Sequence, residues 1–191
     1  KLLRASTPAT IEIQQNIPHS SSLVVADPIQ IHQVLMNLCT NACHAMREKG
    51  GTLNINLEEV YINDEEATHH VDLEVKPYIR LSVSDTGHGI SKEKQEMIFN
   101  PFFTTKEVGE GTGLGLSVVH GIMKSLNGAT KVYSELGKGS TFQVYLPVLQ
   151  KKEIKSDEKA RNNIPMGSES VLFVDDEDSI TPDIYIDGVY I

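Results

Sequence analysis

The chain has 191 residues, of which 39% are hydrophobic and 23% charged, and its formal net charge is −9. This composition is typical of a soluble globular protein with a sizeable core, and an acidic chain without a basic cluster argues against a nucleic-acid partner. No apolar run reaches the length needed to span a membrane. A cytoplasmic location is therefore expected for this segment, whether or not a parent protein is membrane-anchored.

The N-terminal part of the chain predicts two strands and then a long helix. Residues 10–16 alternate apolar and polar side chains, which indicates a strand, and residues 23–25 indicate a shorter second one. Asp27 and Pro28 are a typical N-cap and first helical residue, so a helix is predicted to begin there. It is predicted to end at about Lys49, because two glycines follow.

This helix is unusual because residues 29–46 contain no Asp, Glu, Lys or Arg. One face is apolar, and the other is uncharged and polar, with Gln30, Gln33, Asn37, Asn41 and His44. Asparagine is a poor helix former, so two asparagines one turn apart suggest that this face meets something polar. Their amide oxygens would suit Mg²⁺. Hydrogen bonding to a neighbouring loop is the alternative, and the helix alone does not decide between them.

The two cysteines, Cys39 and Cys43, lie one turn apart on the same predicted helix. Helical backbone between them disfavours a disulfide, and their spacing matches no metal motif. We expect both to be small buried residues of a protein in a reducing compartment.

The middle of the chain predicts two further strands and a turn that carries candidate ligand-binding residues. Residues 52–62 and 78–84 alternate and predict strands, and the polar residues 63–76 between them predict a loop or the end of a hairpin. The second strand leads into Asp-Thr-Gly-His-Gly-Ile at 85–90. A carboxylate at a strand end can accept a hydrogen bond from an amino group such as adenine N6, and glycines let backbone pass beside a flat ring. A simple Asp-x-Gly turn is the alternative.

Residues 109–116 read Gly-Glu-Gly-Thr-Gly-Leu-Gly-Leu, with a glycine at every second position, and residues 116–126 predict an amphipathic helix directly afterwards. A glycine-rich loop that leads into a helix favours phosphate, because free N–H groups and the helix dipole both attract an anion. The motifs GxxxxGK[ST] and GxGxxG are absent, which excludes the P-loop and dinucleotide-binding folds. The run therefore predicts a nucleotide site of another kind.

The remaining elements complete a first domain and a short tail. Residues 129–134 and 140–146 predict a hairpin, so the domain is α+β, with a helical layer on a mixed sheet. Residues 151–161 are dominated by charge and predict a linker. Residues 170–174 predict a short strand that runs into four acidic residues, and Asp-Gly at 187–188 predicts a terminal hairpin.

Taken in order, these segments resemble the catalytic ATP-binding domain of sensor histidine kinases over roughly residues 2–147. The matching segments are Asn37-Leu-Cys-Thr-Asn41-Ala-Cys-His-Ala45 (N box), Asp85-Thr-Gly-His-Gly-Ile90 (G1 box), Ile98-Phe-Asn-Pro-Phe-Phe-Thr-Thr-Lys106 (F box), Gly109 to Leu116 (G2 box) and a closing strand that ends at Pro147. Each box alone is a weak signal, and four in order are specific. The resemblance implies the Bergerat fold, a two-layer α/β sandwich with a mixed sheet and three helices, and ATP and Mg²⁺ as cofactors.

The resemblance also implies roles for individual residues. Asn41 would be the Mg²⁺ ligand and Asp85 the adenine contact, and Asn37 and His44 would line the phosphate path with Asn41 as the catalytic residues. Lys106 would reach a phosphate or remain solvated. The implied nucleotide-binding residues are Asn41, Asp85, Gly87, Gly89, Ile90, Phe103, Thr104, Lys106, Gly111, Thr112, Gly113, Leu114, Gly115, Leu116 and Thr141, the last near the adenine ring.

An ATP lid is implied between the F box and the glycine run. Phe99, Phe102 and Phe103 would anchor it, and residues 104–112 would form the mobile segment. Residues 109–112 are expected to be the least ordered part of the domain without nucleotide, because glycine alternates there.

The kind of reaction follows from Asn37. Gyrase-like relatives carry a glutamate at this position as the base for ATP hydrolysis, and an amide cannot act as that base. Transfer of the γ-phosphoryl group to a histidine on an upstream dimerisation domain is therefore favoured. None of the seven histidines has the sequence context of that acceptor, so this chain is expected to bind Mg²⁺-ATP without labelling itself. An anti-sigma-type serine kinase or a non-catalytic nucleotide-binding module of the same fold are the alternatives.

A second, weaker resemblance lies near the C-terminus. Residues 170–178 (Ser-Val-Leu-Phe-Val-Asp-Asp-Glu-Asp) resemble the first strand and acidic Mg²⁺ pair of a response-regulator receiver, which implies a hybrid kinase. The predicted domains are 1–149, the catalytic ATP-binding domain, then 150–168, a charged linker, and 169–191, the start of a receiver with an unassigned tail. The implied partners are the histidine-containing dimerisation domain and a receiver, in a homodimeric parent protein.

Overall fold

The computed structural model describes residues 4, 7–18, 22–68, 72–106, 111–149, 185–186 and 189–190. The chain divides into two units, Lys1–Gln150 and Lys151–Ile191, which are described separately. No helix in the described part of the chain is long and apolar enough to cross a lipid bilayer.

The first unit contains a five-stranded mixed sheet with its two longer helices on one face. Its elements are β1 (Ile11–Asn16), α1 (Pro28–Ala45), β2 (Gly51–Tyr61), α2 (Asp64–Thr68), β3 (Pro77–Asp85), α3 (Lys92–Gln95), α4 (Gly115–Ser125), β4 (Ala129–Glu135) and β5 (Gly139–Pro147). The strand order is β1-β2-β3-β5-β4. The β1–β2 pair is parallel and the other pairs are antiparallel. The predicted α+β class and two-layer sandwich are confirmed.

The long helix α1 begins as predicted and ends earlier. The Asp27 carboxylate accepts a hydrogen bond from the Ile29 N–H at 2.8 Å, and Pro28 occupies the first turn. The Met46 N–H is shared between the carbonyls of Ala42 and Cys43, so the helix tightens into turns after Ala45 instead of continuing to Lys49.

Two segments between the main elements differ from prediction. The strand expected at residues 23–25 is a single bridge between Val24 and Val148, because three residues provide only a few ladder bonds. The predicted loop at 63–76 contains α2. In it the Glu66 N–H donates to Asn63 Oδ1 at 2.8 Å and the Asn63 N–H donates to Glu66 Oε2 at 3.3 Å, which is a capping box.

The core lies between the sheet and the two longer helices. The residues that α1 and α4 bury are Val34, Leu38, Cys39, Ala42, Val119 and Met123. Both cysteines are free, and burial raises the pKa of the Cys39 thiol to about 12. This confirms the prediction that Cys39 is a small buried residue. Cys43 is half-buried and packs at the edge of the same core.

The opposite face of the sheet is polar over much of its area. Asn56 accepts a hydrogen bond from Asn16 and donates one to Glu58, which pairs with Arg80 at 3.0 Å. At one end, α2 and its neighbouring loop cover a small apolar cluster around Tyr78. Functional groups of the first unit are therefore sought on the helical side.

The second unit is described only at four positions. Tyr185–Ile186 (β6) and Val189–Tyr190 (β7) pair antiparallel, as the sequence predicts for a terminal hairpin. The predicted linker at 151–161 and the acidic segment at 170–178 lie outside the described residues.

Candidate nucleotide site

A cavity of about 780 Å³ opens on the helical side of the first unit, within the size range of small-molecule sites. It lies between α1, the loop after β3 and the start of α4. Most of the residues predicted from sequence line it: Asn37, Asn41, His44, Asp85, Gly89, Ile90, Phe103, Thr104, Lys106, Gly111, Thr112, Gly113, Gly115 and Leu116. The structure therefore brings together segments that are widely separated in the chain.

The amide face of α1 forms one wall of the cavity. Asn37, Asn41 and His44 follow each other at helical spacing, and all three line the cavity. Asn41 Oδ1 accepts a hydrogen bond from Lys106 Nζ at 3.2 Å, so this amide oxygen faces a cation. A Cβ on Gly115 would lie 3.1 Å from Asn37 Oδ1, which shows how closely α4 begins beside α1.

A magnesium ion at Asn41 fits the donors in this wall. The described residues contain no group of three His, Cys, Asp or Glu side chains that could hold a metal by themselves. Mg²⁺ is commonly bound by one or two protein oxygens, with water and substrate phosphates as its other ligands. An amide oxygen that already faces the Lys106 ammonium is suited to such a site.

Asp85 lies at the end of β3 with only 6% of its surface exposed. Burial raises the pKa of its carboxyl group, and hydrogen bonds from the backbone amides of Gly87 and Ser140 partly offset this effect. The Gly87 N–H is 2.8 Å from Asp85 Oδ1. Gly87 itself packs against α1, where a Cβ would lie 2.6 Å from the Ala45 carbonyl oxygen, and is not among the lining residues.

The N-terminus of α4 forms the other end of the cavity. Leu114, the N-cap residue, gives no side-chain hydrogen bond to the first turn, whose N–H groups have no partners within the helix. Gly113 has φ +68°, and a Cβ there would lie 2.4 Å from the carbonyl carbon of Phe102, so glycine is required. Leu114, which the sequence also predicts as a nucleotide-binding residue, is not among the residues that line the cavity.

The F box is only partly as predicted. Phe99 and Phe103 pack against the core, and the Phe99 ring lies 5.6 Å from that of His120. Phe102 is 73% exposed and has φ +67°, so its predicted role as a lid anchor is wrong. Its backbone is held against Gly113 and its ring is directed to solvent. Residues 107–110 lie outside the described part of the chain, so the predicted mobility of the lid stays a prediction.

Thr141 is on the opposite face of the sheet from the cavity. Its hydroxyl lies 2.9 Å from that of Ser84, and it is not a lining residue. Its neighbour Ser140 pairs in register with Asp85 and lines the cavity instead. Side chains alternate between the faces of a strand, so Ser140, and not the predicted Thr141, is on the face that lines the cavity.

Several lining residues were not found from the sequence. They are Met36, Thr40, Ala45, His88, Ser91, Lys94, Ile98, Leu136, Ser140 and Phe142. Met36 and Thr40 are on the same helical face as the predicted asparagines, and His88 lies between the two glycines of the turn. Helical spacing and adjacency could have identified these three. Lys94 of the short helix α3 and Leu136 of the turn between β4 and β5 reach the cavity from separate parts of the chain, and no local signal predicts that.

Similarity to known proteins identifies the family of this chain. Residues 26–150 match the family model for histidine kinase-, DNA gyrase B- and HSP90-like ATPases. The chain is 42% identical to Sensor kinase CckA of Brucella abortus (strain 2308), over 88% of this chain and 19% of that protein. It is 38% identical to Sensor histidine kinase ZraS of Escherichia coli (strain K12), over 72% of this chain and 26% of that protein.

Solved structures give the same result. The nucleotide-free catalytic domain of histidine kinase ThkA is similar with a TM-score of 0.56 and 32% identity, over 72% of this chain and 79% of that one. Full-length ShkA in complex with AMPPNP is similar with a TM-score of 0.55 and 28% identity, over 72% of this chain and 26% of that one.

The chain belongs to the histidine kinase-, DNA gyrase B- and HSP90-like ATPase family, and its fold is similar to that of a solved catalytic domain of a histidine kinase. Within this family, the two curated relatives named above are sensor kinases, and the first unit is a histidine kinase-type ATPase domain that is similar to the catalytic domain of ThkA. The chain spans only about a fifth to a quarter of the length of these curated relatives.

Proposed function

We propose that this domain binds ATP with Mg²⁺ and transfers the γ-phosphoryl group to a histidine on a dimerisation domain of the parent protein. The observation that carries the proposal is the convergence of Asn41, Asp85 and the N-terminus of α4 on one cavity. These three groups have the chemistry needed for a metal ion, an amino-purine and a chain of phosphates, respectively. Positioning and charge neutralisation are the main work of phosphoryl transfer.

Each group has a defined part in this proposal. Asp85 accepts a hydrogen bond from the adenine amino group, and the uncapped amides of α4 receive the phosphates. Asn41 binds the Mg²⁺ ion, which would neutralise charge on the transferring group. The Lys106 ammonium and the metal ion would compete for Asn41 Oδ1, so we expect the ammonium to move to a phosphate oxygen when Mg²⁺-ATP binds.

The choice of transfer over hydrolysis is supported by the charges of the cavity. Asp85 is the one carboxylate among the described lining residues, and the proposal assigns it to the adenine amino group. Asn37 and Asn41 on α1 carry amides, which are not bases able to activate a water. Among the described lining residues no further carboxylate could serve as the base for water attack, which favours transfer to a protein nucleophile over hydrolysis.

The test is phosphotransfer in trans. The chain is incubated with radiolabelled ATP, Mg²⁺ and a separately purified histidine-containing dimerisation domain from a kinase such as CckA. We expect acid-labile, base-stable phosphate on the added domain and none on this chain. Labelling of serine would instead favour an anti-sigma-type kinase, and ATP binding without any transfer would favour a non-catalytic module. Acid-labile label on this chain alone would contradict the proposal.

The exposed aromatic at the base of the lid gives a further prediction. Replacing Phe102 by asparagine should raise the KM for the added dimerisation domain about tenfold, because exposed aromatic side chains dominate protein interfaces. Asparagine tolerates φ +67° better than phenylalanine, so the domain should not lose stability. Steady-state phosphotransfer and thermal melting measure the two effects.

The control for Phe102 is Tyr133→Ser, which removes another exposed aromatic, on the opposite face of the sheet. It should leave the KM unchanged. An equal rise in KM for both variants, or a Phe102→Asn variant that melts earlier while its KM is unaltered, would assign Phe102 to the fold rather than to docking.

A receiver after the catalytic domain remains part of the proposal. The similarity to CckA covers 88% of this chain, whereas the first unit holds only 150 of the 191 residues, so the similarity reaches beyond the first unit. Residues 170–178 have the apolar strand and acidic run that such a domain begins with. We propose that they are the start of a receiver in a hybrid, homodimeric parent kinase.

A further inference from the structure

A row of three polar side chains crosses the sheet beneath the cavity. Asp85 of β3 pairs in register with Ser140 of β5, and Ser140 pairs with Ser134 of β4. Residues paired directly across strands have their side chains on the same face. Asp85 and Ser140 are each 6% exposed and line the cavity, and Ser134 stands behind Ser140.

The hydrogen atoms in this row can be assigned. Ser134 Oγ accepts a hydrogen bond from the Ile90 N–H at 2.7 Å and donates one to the Gly139 carbonyl oxygen at 2.9 Å. A hydroxyl has one hydrogen, and a carbonyl oxygen can only accept. In the 2.9 Å contact between the hydroxyls of Ser134 and Ser140, the hydrogen therefore belongs to Ser140.

This assignment fixes what the cavity presents to a ligand. The Ser140 hydroxyl donates its hydrogen to Ser134 Oγ, so Ser140 offers only lone pairs to the cavity. The neighbouring Asp85 carboxylate also offers only lone pairs. Two adjacent acceptors match a group with two hydrogens to donate. They oppose a carbonyl oxygen at the same position, because its lone pairs would be left unpaired against theirs.

We infer that Ser134 is a positioning residue that selects the base: by holding the Ser140 hydroxyl as an acceptor beside Asp85, it makes the site prefer a 6-amino purine nucleotide over a 6-oxo one. The inference rests on the proposed function, since it concerns the same nucleotide. Ser134 acts through Ser140 and has no contact with the base itself.

The surroundings keep this row in place. Gln95 Nε2 donates to the Ile90 carbonyl at 2.8 Å and to the Ser134 carbonyl at 3.0 Å. The Gly137 N–H donates to the His88 carbonyl at 2.8 Å. The loop after β3 is thus tied to the β4–β5 hairpin by hydrogen bonds, and a hydroxyl held within rigid neighbours can discriminate between ligands.

The test measures the affinities of ATP, GTP and inosine triphosphate for the full chain with Mg²⁺. Inosine has the 6-oxo group of guanine without its 2-amino group, so it isolates position 6. We expect Ser134→Ala to lower the preference for ATP over inosine triphosphate about tenfold, the effect of one hydrogen bond that the freed Ser140 hydroxyl can now donate. Ser134→Thr keeps the hydroxyl and should keep the preference.

A double-mutant cycle separates this role from a structural one. If Ser134 acts through Ser140, Ser134→Ala should change the preference in the wild-type background and have no further effect in a Ser140→Ala background. Ser84→Ala is the matched control, because Ser84 has the same kind of hydroxyl contact on the opposite face, and it should leave the preference unchanged.

The outcomes are distinguishable. An unchanged preference in Ser134→Ala, an additive cycle, or an equal effect of Ser84→Ala overturns the inference and leaves ATP binding as proposed. Failure of the wild-type chain to bind any of the three nucleotides overturns the proposed function, and the inference with it. A variant that unfolds is recognised by its melting curve. Ser134→Cys then takes the place of Ser134→Ala, because a thiol of similar size is only a weak acceptor for the Ser140 hydroxyl; it should also lower the preference for ATP, and an unchanged preference overturns the inference.

Discussion

Replacement of Asn41 by alanine is expected to remove the Mg²⁺ dependence of ATP binding and to lower phosphotransfer about 10³-fold. A metal that neutralises charge on a transferring phosphoryl group stabilises the transition state by several kcal/mol, which corresponds to a loss of this size. The fold should be retained, because Asn41 is only half-buried and alanine favours a helix more than asparagine does. A fluorescent ATP analogue, titrated with Mg²⁺ and again with chelator, measures the first effect.

The matched control for Asn41 is Asn54→Ala, which changes an exposed asparagine on the far face of the sheet. It should bind and transfer as wild type does. With chelator present, wild type and Asn41→Ala should bind ATP with similar affinity, because the metal ligand is then irrelevant. If Asn41→Ala still binds ATP more tightly when Mg²⁺ is added, the amide is not the metal ligand, and the helix face serves only to hydrogen-bond its neighbours.

The parts of the site that could be predicted from sequence are those with a signal of their own. The amide face of α1 can be recognised because a helix without charged residues is unusual. The glycine run can be recognised because no strand or helix interior would contain it. Asp85 is visible because it ends a strand and precedes two glycines. Local chemistry predicted each of these, and the cavity contains all three.

Parts of the site that depend on register or on tertiary contact could not be predicted. Ser140 and Thr141 are neighbours on a strand whose side chains alternate between the two faces. Only the pairing of Ser140 with Asp85 shows which of them faces the cavity. Phe102 has a positive φ and its backbone lies against Gly113, and nothing in the phenylalanine cluster indicates this. By contrast, α2 was predictable from the capping box of Asn63 and Glu66, and the acidic composition of that segment concealed it.

Replacement of Asp85 by asparagine is expected to weaken ATP binding by one to two orders of magnitude without lowering stability. The binding loss follows from removal of a charge-assisted hydrogen bond, and the amide that replaces the carboxylate can turn an NH₂ group toward the adenine amino group. Asparagine keeps an oxygen for the Gly87 N–H, so the turn after β3 retains its hydrogen bond. Isothermal titration with ATP and chemical denaturation measure the two properties.

The difference in stability between wild type and Asp85→Asn should depend on pH in a defined direction. Burial raises the pKa of Asp85, so the folded state holds this proton more tightly than the unfolded chain does. The stability that Asp85 contributes is therefore fully present below the ordinary aspartate pKa of about 4, and it is lost as pH rises through the raised folded value. Asparagine does not titrate, so Asp85→Asn should gain stability relative to wild type across that window and keep the gain at neutral pH. The Asp72→Asn variant, which changes an exposed aspartate, should show no such gain. If wild type instead became more stable relative to Asp85→Asn as pH rises through this window, Asp85 would not be a buried carboxylate whose charged form lowers stability.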